Sequence, residues 1–257
     1  MATLLVASCA TADLQTAKEM IRQQKYYNAM EIYLAFVREH PDHRRAPEAL
    51  LEVGTIQETM LNEPRKALGT YQKLVGMYPV NRYTLQAQRR IAEIYKNKLS
   101  DYRQAVVEYE KLIQGAPNEP FAAQYQLEIA RCYTQLHNYE QAELEYQALL
   151  AKYPKAENLD EVYFQMGNNA YIGARYRDAV SAYRTVDERY PKSEFRTQAV
   201  FGLAGAYEEL EDWAEARKQY QRAAKDYPQP KVVEIRLQGL AKREKRQETV
   251  SAGAHLR

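Results

Sequence analysis

The strongest constraint on this fold is one pattern that recurs six times along the chain. Each copy contains an alanine, an aromatic residue four positions later and a proline eight positions after that. The alanine and aromatic pairs are Ala29 and Tyr33, Ala67 and Tyr71, Ala105 and Tyr109, Ala142 and Tyr146, Ala179 and Tyr183, and Ala216 and Tyr220. The prolines are Pro41, Pro79, Pro117, Pro154, Pro191 and Pro228, at intervals of 38, 38, 37, 37 and 37 residues. A period of this length predicts a stack of short repeats and not one globular core.

Each repeat carries the pattern of a helical hairpin. In the fourth repeat, small and apolar residues recur at helical spacing from Ala130 to Leu136 and again from Ala142 to Leu150. His137 and Asn138 interrupt this spacing and predict a tight turn between two helices, and the proline predicts the end of the second helix. No stretch of the 257 residues sustains the period of two that is typical of strands, so the sequence predicts an all-α fold.

Two further positions keep the same phase in every repeat. A small residue stands in the first helix, twelve or thirteen positions before the alanine: Ala17, Gly54, Ala92, Ala130, Gly167 and Ala204. A residue with a ring stands three positions before the alanine: Tyr26, Pro64, Tyr102, Tyr139, Tyr176 and Trp213. Small residues let the two helices approach closely, and each hairpin buries its remaining apolar face against the next one.

This combination of positions resembles the tetratricopeptide repeat (TPR). The resemblance implies a right-handed α-solenoid of six helical hairpins over residues 13–228. Segment 229–248 is amphipathic and predicts a capping helix over the last hairpin, and segment 249–257 predicts a disordered tail. Two departures occur: Pro64 replaces the usual aromatic residue, and the second and third repeats each have one extra residue between their helices. A proline is compatible with the first turn of a helix, where its missing amide hydrogen is not needed.

The first residues of the chain carry a separate signal. Val6, Ala7 and Ser8 precede Cys9 and resemble the bacterial lipobox, which implies that segment 1–12 is a truncated lipoprotein signal and that Cys9 is lipidated. Ala10 stands where an aspartate would retain such a protein in the inner membrane, so the resemblance implies the periplasmic face of the outer membrane. Only eight residues precede Cys9 and none is basic, which leaves open a coincidental match in a soluble protein.

Composition and motifs exclude several classes of function. The 36 basic and 34 acidic residues are interspersed and give a formal charge of only +2, which provides no electrostatic footprint for nucleic acid. The four histidines do not combine with cysteines or carboxylates at metal-ligand spacing, and no phosphate loop or nucleophile motif occurs. The basic run at 242–246 is interpreted as the solvated end of the last helix. We therefore predict a non-enzymatic protein without a cofactor, a metal site or a small-molecule substrate.

The resemblance also implies where a partner binds. In TPR arrays the first helices of the hairpins line a concave face that binds extended peptides or partner helices. Register places ten residues on that face: Arg89, Glu93, Lys96, Leu127, Arg131, Phe164, Asn168, Tyr171, Phe201 and Glu208. Phe164 stands where carboxylate-clamping TPR proteins need a lysine, so clamping of a peptide C-terminus is not expected. Phe164 and Phe201 have an alternative interpretation as packing residues between adjacent hairpins.

A lipobox followed closely by TPRs is similar to the outer-membrane assembly lipoproteins of the BamD type. That similarity implies a lipid-anchored adaptor in outer-membrane protein assembly or in an envelope export complex. Its partners would be proteins or extended peptides, with a membrane contact through Cys9 and no nucleic acid. The alternative hypothesis is a soluble cytoplasmic TPR scaffold.

Overall fold

The protein is all-helical over the residues that the computed structural model describes, 14–115 and 121–254, with side chains described up to residue 246. These ranges contain thirteen helices and no strand. The helices are α1 (14–22), α2 (Tyr26–Glu39), α3 (Ala46–Thr55), α4 (Pro64–Met77), α5 (Arg82–Asn97), α6 (Tyr102–Gly115), α7 (Ala122–Gln135), α8 (Tyr139–Lys152), α9 (Leu159–Ile172), α10 (Tyr176–Arg189), α11 (Arg196–Glu209), α12 (Trp213–Ala223) and α13 (Pro230–Ala254). The prediction of an all-α stack of TPR-type hairpins is confirmed.

Successive helices pack against each other in chain order, as consecutive hairpins require. The chain forms two compact halves that divide inside α7, between Cys132 and Tyr133. In the N-terminal half, each helix from α2 to α5 contacts the next one, and α3 also contacts α5. In the C-terminal half, α8 to α13 form the same succession, and α9 also contacts α11. The odd-numbered helices up to α11 are therefore the first helices of the six repeats.

The second helix of every repeat begins at the ring position identified in the sequence. Tyr26, Pro64, Tyr102, Tyr139, Tyr176 and Trp213 are the first residues of α2, α4, α6, α8, α10 and α12. Asp101, Asn138 and Asp212 cap three of these helices, because each side chain accepts a hydrogen bond from a backbone amide of the first turn. Met77 and Arg189 end α4 and α10 two positions before Pro79 and Pro191. A proline disfavours the α conformation in the residue before it, which explains these ends.

The turn inside each hairpin contains one residue in the left-handed backbone region. The φ angles of these residues lie between 53° and 61°, and none of the residues is a glycine. They are Gln24, Asn62, Ser100, His137, Ala174 and Glu211. Each stands five positions before the repeat alanine, so the backbone repeats as regularly as the sequence does. The side chains at this position vary, which is why no residue pattern indicated it.

The extra residue of the second repeat is absorbed by a π-helical turn. After α3 the chain continues as a π-helix over Ile56–Met60, and the amide of Leu61 donates to the carbonyl of Ile56 at 3.0 Å. A π turn closes over five residues instead of four and so accommodates one additional residue without breaking the helix. Pro64 then begins α4, as the sequence predicted.

The repeat alanines and tyrosines form the seam between the helices. All six alanines have no exposed surface, and the six tyrosines expose at most 3%. In the fifth repeat, the ring of Tyr183 lies between Gly167 of α9 and Gly202 of α11. A Cβ atom built on Gly167 would lie 2.5 Å from this ring, and one built on Gly202 would lie 2.6 Å from it. Neither position has space for a methyl group while the ring is in place.

The hydroxyl of Tyr183 passes through this seam and donates a hydrogen bond to Oδ1 of Asn168 at 2.8 Å. Tyr71 and Tyr220 make the same kind of bond, to Glu58 at 2.9 Å and to Glu208 at 2.8 Å. Burial is the main cause that raises the pKa of Tyr183 above its usual value. The hydroxyl therefore remains a donor at physiological pH, and second helices are linked to first helices by polar contacts as well as by packing.

The final helix is longer than predicted. It runs from Pro230 to Ala254, where the sequence analysis ended it at residue 248, and residues 255–257 lie outside the described ranges. Val233 and Leu240 are buried against the sixth repeat, with 1% and 0% exposure. Their spacing of seven residues places them on one side of the helix, so α13 covers the apolar end of that repeat.

Candidate partner-binding surface

Charged side chains of two first helices form one surface in the N-terminal half. On α5, Nε of Arg89 lies 3.5 Å from a carboxylate oxygen of Glu93. Lys96 of α5 reaches across to Glu128 of α7, with 2.5 Å between Nζ and Oε2. Glu128 also binds Arg131 at 2.8 Å. We call these five residues the first-helix surface. Four of them were predicted for the binding face: Arg89 and Glu93 pair with each other, and Lys96 and Arg131 are joined through Glu128.

Leu127 does not belong to this surface, although the sequence register placed it there. Its side chain has no accessible area, so it is part of the core. The neighbouring Glu128 accepts the ion pairs from Lys96 and Arg131, and it lies largely beneath their side chains, since it is itself only 8% exposed. Leu127 and Glu128 point in directions about 100° apart around the axis of α7. An error of one residue in the predicted register therefore placed a core residue on the binding face.

A cleft opens between α5 and the beginning of α7. Its volume is about 360 Å³. The residues that line it are Arg82, Leu85, Gln86, Arg89, Leu112, Phe121 and Tyr125. Arg89 belongs to both the cleft and the first-helix surface, so the two are continuous. Apart from Arg89, these lining residues were not predicted from the sequence, although Arg82, Gln86 and Arg89 are spaced so that they share one face of α5.

Two aromatic residues on one side of the cleft differ in exposure. Phe121 is 52% exposed, whereas Tyr125 is only 8% exposed. The ring centroids of Phe121 and Tyr125 are 6.5 Å apart, and Tyr125 stacks on Tyr109 with a centroid distance of 6.0 Å. The tyrosines thus support an apolar edge that Phe121 presents to solvent.

In the C-terminal half, the predicted binding residues of α9 have partners within the fold. The ring of Phe164 stacks on Phe195 with centroids 5.3 Å apart and also contacts Tyr183. Asn168 accepts the hydroxyl hydrogen bond of Tyr183. Tyr171 is half-buried and packs edge-on against Tyr176 with a centroid distance of 5.6 Å. The contacts of Phe164 agree with the packing interpretation.

The two predicted binding residues of α11 are also engaged internally. Phe201 stacks on Tyr227 with ring centroids 4.3 Å apart. Glu208 is only 4% exposed, so it does not present the open carboxylate expected of a binding-face residue. It accepts from Tyr220 and pairs with Arg243 of α13 at 3.0 Å, and Arg236 lies 3.8 Å away. The capping helix therefore covers Glu208, and Arg243 makes this ion pair while its side chain remains 53% exposed.

The chain has two cysteines, Cys9 and Cys132. Cys9 lies outside the described residues. Cys132 is fully buried, and burial raises the pKa of its thiol to about 12. The thiol is therefore neutral and unreactive at physiological pH. Within the described ranges, no group of three or more metal-ligating side chains occurs.

Comparison with known proteins identifies the repeats. The tetratricopeptide repeat family model matches residues 98–157 and 164–229. These two segments are TPRs, and the remaining hairpins have the same construction. A comparison with curated proteins gave no match.

Several solved structures have a similar fold at low sequence identity. A tetratricopeptide repeat protein from Parabacteroides merdae is 15% identical, with a TM-score of 0.59 over 90% of this chain and 98% of that one. PilW, described as a widely conserved type IV pilus biogenesis factor, is 14% identical, with a TM-score of 0.59 over 89% of this chain and 98% of that one. YrrB, described as a TPR protein with an unusual peptide-binding site, is 18% identical, with a TM-score of 0.57 over 77% of this chain and 95% of that one. At these identities the likeness establishes the fold alone.

Proposed function

We propose that this protein is a non-enzymatic adaptor that binds an extended segment of a partner protein along α5 and the N-terminal part of α7. The observation that carries the proposal is the cleft of about 360 Å³ beside the first-helix surface. Pockets that bind ligands typically have volumes of about 300–1,000 Å³. The cleft thus offers space for side chains of a bound segment, next to charged groups that orient it.

The choice of the N-terminal half follows from a difference between the two sets of first helices. Arg89 and Arg131 keep 36% and 27% of their side chains exposed, and Phe121 faces solvent. By contrast, Phe164 and Asn168 are occupied by neighbours inside the C-terminal half, and Glu208 lies under α13. The TPR fold supports protein–protein interaction in general, and YrrB is described as having a peptide-binding site.

Selection from a library of random displayed peptides tests this proposal with the full chain. We expect enriched peptides whose affinity falls at least about tenfold, or about 1.4 kcal/mol, when the exposed residue Gln86 is replaced by tryptophan and blocks the cleft. The matched control is Gln104→Trp, at an exposed position of the second helix α6, which should leave the affinity unchanged. Enriched peptides that bind Gln86→Trp as well as the wild type would contradict the proposed site.

We further propose that the adaptor is anchored by lipidated Cys9 at the periplasmic face of the outer membrane. The support is the sequence Val6–Cys9, which resembles a lipobox, followed closely by TPRs. The role would then lie in outer-membrane protein assembly of the BamD type or in an envelope export complex. PilW, which has a similar fold, is described as a type IV pilus biogenesis factor. Among the described helices, none is long and apolar enough to cross a membrane.

Replacing Cys9 with alanine tests the anchor. In a bacterial host that expresses the native reading frame, we expect the protein to move from the membrane fraction to the soluble fraction. The reason is that several acyl chains on one cysteine bind firmly, since each buried methylene contributes about 0.8 kcal/mol. Membrane association of Cys9→Ala that persists after washing with high salt would contradict the anchor. A wild-type protein found wholly in the cytoplasm would favour the alternative of a soluble scaffold.

A further inference from the structure

We infer that the cleft beside α5 selects an acidic segment, in which carboxylate side chains contact Arg82 and Arg89 and a bulky apolar side chain covers Phe121. This inference rests on the proposed function and specifies the chemistry of the partner. It depends on the charges and the exposed ring that line the cleft.

The first observation is the charge of the cleft. Two arginines line it, and none of the described lining residues carries a carboxylate. Arg82 and Arg89 are seven residues apart on α5, so they lie on one face and about 10 Å apart along the helix axis. Arginine is suited to carboxylates because its planar guanidinium group donates two parallel hydrogen bonds.

The second observation is that Arg89 is not fully satisfied within the protein. Its Nε lies 3.5 Å from Glu93 without forming a hydrogen bond, although this atom is shielded from solvent. Glu93 is shared with Arg90, whose Nη1 lies closer to it, at 3.2 Å. Arg90 also lies 3.8 Å from Glu58. Glu93 is therefore closer to Arg90 than to Arg89, and the Nε of Arg89 is left without a hydrogen bond beside the cleft.

Arg82 is already positioned on the same side. Its guanidinium group lies over the ring of Tyr83, 4.5 Å from the centroid, and donates to the hydroxyl of that residue. Such stacking holds the guanidinium plane in one orientation while leaving donors for a ligand. A segment with lysine or arginine at this place would meet two like charges, which disfavours basic partners.

The third observation concerns the apolar side. Phe121 is 52% exposed and is backed by Tyr125 and Tyr109. Burying an exposed aromatic ring against a bulky apolar side chain is the usual source of a binding hot spot. Because the arginines and Phe121 line the same cleft, the partner needs an acidic residue and an apolar residue close together in an extended segment.

Fluorescence anisotropy with short labelled peptides tests the inference on the full chain. One peptide contains phenylalanine with two nearby glutamates, and two others replace the glutamates by glutamine or by lysine. We expect the glutamate peptide to bind at least about tenfold more tightly than the lysine peptide, and its binding to weaken at higher salt. Arg89→Ala should weaken the glutamate peptide about tenfold and leave the glutamine peptide little changed. Arg89→Glu should reverse the preference toward the lysine peptide.

The control is Arg103→Ala, which removes an exposed arginine from the second helix α6 and should leave all affinities unchanged. Circular dichroism checks that each variant is folded. Equal affinity for the glutamate and glutamine peptides, or an Arg89→Ala variant with wild-type affinity, would overturn the inference. If binding is independent of charge but lost in Gln86→Trp, the adaptor site stands and only the acidic preference is wrong. If Gln86→Trp has no effect on any bound peptide, or no peptide binds, the proposed site fails as well.

Discussion

Replacing Tyr183 with alanine should lower the free energy of unfolding by about 3–5 kcal/mol, the range found when a large buried aromatic side chain is truncated. Tyr183 is 3% exposed and fills the space between α9 and α11, with Gly167 and Gly202 on either side of its ring. Its loss leaves a cavity lined by two glycines, which have no side chains to fill it. Urea denaturation followed by circular dichroism measures the change.

Two controls separate the ring from its hydroxyl and from general effects of removing a tyrosine. Tyr183→Phe keeps the ring and loses the hydrogen bond to Asn168, so it should cost only about 0.5–1.5 kcal/mol. Tyr27→Ala removes a side chain that is 61% exposed and should change stability by less than about 0.5 kcal/mol. An unchanged urea midpoint for Tyr183→Ala would show that the ring does not hold the fifth and sixth repeats together.

Replacing Gly202 with alanine should destabilise the protein by about 1–3 kcal/mol, even though alanine is the better helix former. The new Cβ atom would lie 2.6 Å from the Tyr183 ring, and Gly167 on the other side of the ring prevents it from moving away freely. The same substitution in the Tyr183→Ala background should instead stabilise the protein by about 0.5–1 kcal/mol, because only the helix preference remains. A double-mutant cycle of urea midpoints therefore predicts a change of sign.

Gly69→Ala is the matched control for this cycle. Gly69 lies within α4, and a Cβ atom built on it would meet no neighbouring side chain within 4 Å. Alanine should therefore stabilise the protein at this position by about 0.5–1 kcal/mol. If Gly202→Ala stabilises the wild type as Gly69→Ala does, the ring of Tyr183 does not occupy the seam as described.

The fold could be predicted from the sequence because the residues that recur in each repeat are those that pack at the seam between its helices. Ala179 and Tyr183 are informative for a physical reason: a small residue and a ring must alternate at the seam of each hairpin, and this need recurs in every repeat. Tyr176 and Trp213 share the recurring ring position, and the structure shows that second helices begin at both of them. The left-handed turn residues escaped prediction because side chains as different as His137 and Ala174 occupy that position.

The candidate site was predicted only in part. The exposure of a side chain depends on how neighbouring helices pack around it, and the position of a residue within the repeat does not give this packing. Arg89 pairs with Glu93 on the same helix, whereas Lys96 and Arg131 are joined through Glu128, which was not predicted. A register error of one residue, about 100° around the helix axis, was enough to assign the buried Leu127 to the binding face. The cover that α13 provides over Glu208 depends on a tertiary contact with Arg243, which the basic run at 242–246 did not indicate.

The cleft itself was missed because it arises from a gap between elements. Leu85, Leu112 and Tyr125 are ordinary apolar residues in the sequence, and each is well accounted for by packing alone. Only in the folded structure, where α5, α6 and α7 lie together, do these residues line a cleft with Phe121. Sites of this kind are defined by the absence of a side chain that would fill the space, which a residue pattern does not record.

Site-specific photo-crosslinking tests the central claim most directly. A photo-crosslinking amino acid with a small aliphatic diazirine side chain, no bulkier than glutamine, is placed at Gln86 in the cleft or at the exposed control position Gln104 of α6. Each variant is irradiated with a bound peptide from the library selection. Binding along α5 and α7 predicts a covalent peptide adduct from position 86 and none from position 104. A crosslink from position 104, or a bound peptide that does not crosslink from position 86, would contradict the proposed surface.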